Sequence, residues 1–178
     1  MTPIVRSLLL VFIFATAPVS AAARDAQLFE WERLPDIPDG IPPAGARFGV
    51  CEDALLLIRT GGPRADSPSV FALTDPKGQW RPLLVSWPSV MHSNEITARG
   101  AVVLSWRDRV LVLGNQKRSE PRNRAISIQW QRGELVATSL PQLPQPVSFA
   151  CGAVLDDTVY LAGGKSVDST TLRTFWTM

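Results

Sequence analysis

Six basic residues stand at or just beyond the ends of apolar runs that are marked by glycine: Arg59, Arg64, Lys117, Arg118, Arg122 and Lys165. A guanidinium is a rigid planar fork that pairs with a carboxylate through two parallel hydrogen bonds, so a set of them can hold an anion. The simpler reading of each one singly is solvated surface charge. A second polar group is Met91-His92-Ser93-Asn94-Glu95, which holds the only histidine and, three residues on, a carboxylate. Such a pair can serve as general acid and base; as an exposed loop it does nothing. Trp31, Trp80, Trp106, Trp130 and Trp176 can stack on a ring. Large aromatics in strands more commonly fill a core, which fits all but Trp106, which adjoins a turn. One histidine and no cysteine pair at ligand spacing speak against a zinc site. No phosphate cradle, nucleophile elbow or paired-carboxylate motif is present, and no cofactor is expected.

The elements that must position these residues are β-strands in a repeated order. Gly61, Gly114 and Gly163 recur at intervals of about 50 residues, each after an apolar run: Leu55-Leu56-Leu57-Ile58, Val110-Leu111-Val112-Leu113 and Val159-Tyr160-Leu161-Ala162. Before each run stands another, joined to it by a short polar turn: FGVC then EDA, AVVLS then WRDR, GAVL then DDT. These are three hairpins, and Asp53, Asp108, Asp156 and Asp157 suit the reversals because aspartate tolerates unusual backbone angles. A third strand follows each glycine, at Ser69 to Thr74, Ala125 to Trp130 and Leu172 to Thr177; a fourth follows in the first two repeats, at Gln79 to Leu83 and Glu134 to Thr138. Glycine at the end of the second strand lets the chain turn through positive φ, and Asn115 is tolerable in that role. Four strands per repeat of this length, with a glycine pair after the second, is the pattern of kelch blades.

Bulk properties agree with an exported globular chain. The 178 residues are 46% hydrophobic and 19% charged, and 18 basic against 16 acidic residues leave a formal charge of +2, so no nucleic acid partner is implied. Residues 1–23 read as a secretory signal peptide: one positive charge before Ser7, an apolar run to Ala17, then small residues that allow cleavage after Ala21, Ala22 or Ala23. An uncleaved anchor would need a longer apolar run, so no membrane span is expected after cleavage, and the mature chain is expected in the periplasm or outside the cell. Export permits a disulfide between Cys51 and Cys151. Both lie in apolar runs of equivalent strands in non-adjacent repeats, which favours two buried free thiols.

The segments LPDIPDGIPPAGARFGVCEDALLLIRTGG, VVLSWRDRVLVLGNQKRSEPRNRAISIQWQRGELVATSL and LPQLPQPVSFACGAVLDDTVYLAGG resemble the kelch-type sialic acid mutarotases, in particular their cyclically permuted relatives. The resemblance spans nearly the whole mature chain. It implies a six-bladed propeller that interconverts the α and β anomers of N-acetylneuraminic acid without metal or redox cofactor. It also places the loops after second strands near the channel mouth, where Arg59, Arg64, Arg118 and Arg122 would bind the substrate carboxylate. The family's acid and arginine pair, a Gly-Glu followed about six residues later by Arg, is not reproduced. The nearest stretch is Gly114 to Arg122, with Asn115 where the acid would stand, and by order it belongs to a different blade. No catalytic residue is therefore assigned; in permuted order the catalytic blade would come after Met178.

The expectation is an all-β, kelch-type β-propeller of about three four-stranded blades, an incomplete open arc of a six-bladed ring. Residues 24–178 would form it, with an orphan strand and linker over 31–46 and blades over 47–84, 98–139 and 148–178. Trp31 to Leu34 is the orphan fourth-type strand. Three blades do not close a ring, so self-association or a complementary chain is expected. Two functions fit: part of an exported mutarotase or epimerase acting on a sugar, inactive as this chain alone, or a non-catalytic kelch module that binds carbohydrate or protein.

Overall fold

The computed structural model describes residues 32–39, 41, 45–59, 70–87, 99–117 and 120–178. The chain divides into two units, Met1–Arg33 and Leu34–Met178, and every strand among the described residues belongs to the second. Twelve strands make three sheets, with no α-helix among the described residues. The first sheet is an antiparallel meander of β1 (Ala46–Cys51), β2 (Ala54–Arg59), β3 (Val70–Leu73) and β4 (Arg81–Leu83). The second contains β6 (Val102–Trp106), β7 (Arg109–Lys117), β8 (Glu120–Gln131) and β9 (Glu134–Ser139). At its outer edge β5 (Val85–Ser86) pairs with β9 in parallel. The third has β10 (Cys151–Leu155), β11 (Thr158–Ala162) and β12 (Phe175–Thr177).

Second strands read as unbroken apolar runs because they are covered on both faces. Leu56, Leu57 and Ile58 are consecutive and all fully buried. Leu56 and Ile58, with Cys51, Val70 and Ala72, meet Val110, Val112, Ile126 and Ile128 of the second sheet. The opposite face of that sheet, through Val102, Leu111, Leu113 and Ala125, meets Val159 and Leu161 of the third. First strands converge most closely: a Cβ on Gly152 would lie 2.8 Å from Val102 Cγ1, so the third sheet can approach only with glycine there. The free face of the first sheet is met by the chain's own linker, with Ile37 and Ile41 against Leu57, Phe71 and Trp80.

A side-chain contact repeats with the sheets. The last residue of one first strand reaches the hairpin turn of the next sheet: Cys51 Sγ donates to the Asp108 carbonyl at 3.1 Å, and Trp106 Nε1 to the Asp157 carbonyl at 2.7 Å. Trp106 is thereby engaged in sheet stacking, with the guanidiniums of Arg107 and Arg109 at 4.6 Å and 5.6 Å from its ring. Trp80, Trp130 and Trp176 pack half-buried against the three clusters, as core residues should, while Trp31 lies outside the described residues.

Several expectations need correction. Glu32 to Leu34 form no strand: the first strand of the described residues begins at Ala46, and the ladders of the first sheet run only among β1 to β4. Gly114 does not end its strand: with φ of +60° it makes a bulge, after which Asn115 to Lys117 pair again with Arg122 to Glu120. The last strand begins at Phe175, not Leu172, because Gly163 and Gly164, at φ of +66° and +95°, steer the chain out of the ladder. In the first two hairpins the left-handed angle falls on Glu52 and Arg107, the residues before the aspartates, since a tight hairpin demands it at the first loop position. In the third, Asp156 and Asp157 both adopt it.

Both cysteines are free, but only Cys51 is buried; Cys151 is exposed on the outer face of the third sheet. Burial pushes the Cys51 thiol above its ordinary pKa, so it stays protonated at neutral pH. Iodoacetamide on dilute native protein should therefore alkylate Cys151 promptly and Cys51 only on denaturation, a difference that peptide mass spectrometry reads directly. Equal labelling of the two would contradict this packing.

Candidate functional site

Antiparallel order puts the starts of first strands, the ends of second strands and the starts of third strands at one end of every sheet. At this end the connection before β10 is woven between the second and third sheets. Asn115 N donates to the Val147 carbonyl at 3.1 Å and Val147 N to the Arg122 carbonyl at 3.1 Å. Ser148 and Lys165 exchange a pair of backbone bonds at 3.1 Å and 2.7 Å. An equivalent bond joins Gln116 N to the Arg99 carbonyl at 2.7 Å, and Phe149 N donates to the Gly100 carbonyl at 2.7 Å. A continuous backbone seam thus holds Arg99, Asn115, Gln116, Arg122, Ser148 and Lys165 in one region.

The seam carries a basic rim. Arg122 is half-buried, while Arg99 and Lys165 are exposed. Asn115 and Ser148 are buried, and Ser148 Oγ has no hydrogen-bond partner among the described residues, which costs about 1–3 kcal/mol in a dry setting. Beyond Lys165, the turn Ser166 to Thr170 closes on Asp168, whose carboxylate accepts from Ser166 Oγ, from Thr170 Oγ1 at 2.8 Å and from Thr170 N at 3.3 Å. These bonds, that of Ser166 first, hold the Asp168 carboxyl below its ordinary pKa. Among the described residues no group of three or more His, Cys, Asp and Glu can hold a metal ion.

Of the expected binding residues, Arg122 lies in this seam. Arg59 ends β2 at the corresponding end of the first sheet, half-buried. Arg64 and Arg118 lie outside the described residues, as do His92 and Glu95. Arg99 and Ser148 were not singled out from the sequence. They hold equivalent places two residues before an alanine that leads into the first strand, Arg99-Gly100-Ala101 and Ser148-Phe149-Ala150, and aligning the repeats on their turns finds them. A cleft of about 250 Å³ is lined by Leu113 of β7, by Pro141 and Leu143 of the linker, and by Val159 and Trp176 of the third sheet. Its lining is mostly apolar.

Stacked antiparallel sheets built from a repeated strand order define this chain as an all-β protein with a β-propeller-like fold. Among solved structures it is similar to that of YjhT, with a TM-score of 0.53 and 16% sequence identity over 74% of this chain. At that identity the likeness is one of fold. The chain spans 41% of the length of the YjhT chain. No family model matches the sequence, and no curated protein matches it.

Proposed function

We propose that this chain is part of an exported propeller protein that acts at the anomeric centre of N-acetylneuraminic acid or a related acidic sugar, and that it supplies the groups that hold the sugar's carboxylate. The observation that carries the reading is the backbone seam, which gathers Arg122, Arg99 and Lys165 at one end of the sheets. Support also comes from the sequence resemblance to the sialic acid mutarotases and from the propeller-like fold. Mutarotation moves a proton from the anomeric hydroxyl and returns one to the ring oxygen as the carbon–oxygen bond opens, then reverses on the other face. Nothing is gained or lost, so neither oxidant nor metal is required. The cations fix the carboxylate while the ring opens; the acid–base pair is not assigned to residues of this chain.

The test is an NMR titration of the chain with N-acetylneuraminic acid. Saturable shifts are expected, weakened about tenfold or more in Arg122→Gln and in Lys165→Gln. Arg132→Gln, in a hairpin turn at the opposite end of β8 and β9, should bind as the parent does. Anomer exchange in the same samples should run at the uncatalysed rate. No saturable binding, or equal binding of a neutral hexose, overturns the proposal. A second reading, a non-catalytic carbohydrate- or protein-binding module, fits the absence of the family's Gly-Glu and Arg motif equally well, since the stretch most like it carries the buried amide of Asn115.

A further inference from the structure

The chain contains the same sheet-to-sheet interface twice, and its outer faces are the two unmatched halves of a third. Each interface has a forward face, made in the first sheet by Gly49, Cys51, Leu56 and Ile58 and in the second by Leu104, Trp106, Leu111 and Leu113. Hairpin registers put Ala153, Leu155, Tyr160 and Ala162 at the same places in the third sheet. There the face is uncovered: Leu155 is 61% and Phe175 64% exposed, and with Tyr160 they border an apolar hollow of about 480 Å³. Leu155 follows Cys51 and Trp106 in the series of residues that reach the next sheet's turn.

The other half is the reverse face of the first sheet. Its inner strand shows Phe48 and Val50, 43% and 48% exposed. Ile37 and Ile41 already lie on its outer half. They do not block it, because Leu143, from the matching Leu-Pro linker, sits in the same way inside the interface between the second and third sheets.

We infer that a second copy of this chain docks head to tail here, the forward face of one copy's third sheet against the reverse face of the other's first sheet. Two such contacts close a ring of six sheets, within the usual range of propellers. The contact continues an interface the chain builds internally, and it stands apart from the sugar reading.

Sedimentation velocity at micromolar concentration tests this. A species of twice the chain mass is expected, together with slower alkylation of Cys151 as concentration rises. Leu155→Glu on one face and Phe48→Glu on the other should each weaken the dimer on the order of a hundredfold, because each buries a lone charge. Both sites are exposed within a single copy, so unchanged far-UV circular dichroism separates dissociation from misfolding. A monomeric parent overturns the inference, as does a dimer that survives both substitutions. So does a monomer that takes up only a different polypeptide bearing further sheets of this kind, or an open series of larger oligomers.

Discussion

Gly114→Ala is expected to cost the fold about 3 kcal/mol and to lower the melting temperature by roughly 10 °C. Two penalties combine at this residue. Its φ of +60° is left-handed, where any side chain is strained. A Cβ there would also lie 2.5 Å from the Val147 carbonyl oxygen, a backbone atom already committed to Asn115 N. Relief requires the linker to withdraw, and with it the seam that unites Arg122 and Lys165. Gly133→Ala separates the two terms: φ is +84° but no atom lies within 4 Å of the added Cβ, so strain alone should cost about 1 kcal/mol. Urea denaturation of both variants measures the difference. Equal midpoints would mean that contact with Val147 contributes nothing.

Leu111→Ala is the second large effect, at about 3 kcal/mol. Leu111 is fully buried on the forward face of the second sheet, packed with Val159 and Leu161 of the third. Removing its branched end leaves a void between two stiff sheets that cannot close over it. Leu84→Ala, at a side chain 93% exposed, should change stability by less than about 0.5 kcal/mol. Hydrogen exchange should accelerate in β10 to β12 more than in β1 to β4, because Leu111 faces the third sheet. Uniform acceleration would contradict sheet-by-sheet stacking.

How far the sequence reveals the architecture depends on how local the cause is. FGVC, ED and ALLLI give a hairpin from neighbouring residues alone, and the observed register pairs Cys51 with Ala54 across that turn. The apolar second strands and the three-stranded last repeat were legible for the same reason. What failed was set at a distance. Continuation of β7 beyond Gly114 depends on Val147, far along the chain, accepting from Asn115. Val85-Ser86 is too short to announce itself and exists only because β9 offers an open edge. Trp31 to Leu34 had the composition of a strand, yet Glu32 to Leu34 join none of the three sheets. At the candidate site, side-chain type flagged Arg59, Arg122 and Lys165, but nothing in their spacing shows that Val147 and Ser148 tie the last two together.

The parallel strand β5 has a consequence for where one repeat ends and the next begins. Val85 and Ser86 follow the first sheet in sequence but are laced by backbone to the second, whose outermost strand they shield from pairing with a foreign chain. The natural seam for shuffling, duplicating or transplanting a repeat therefore falls between Leu83 and Val85. A module excised from Val102 onward would carry a bare, adhesive edge; one beginning at Val85 brings its own selvage.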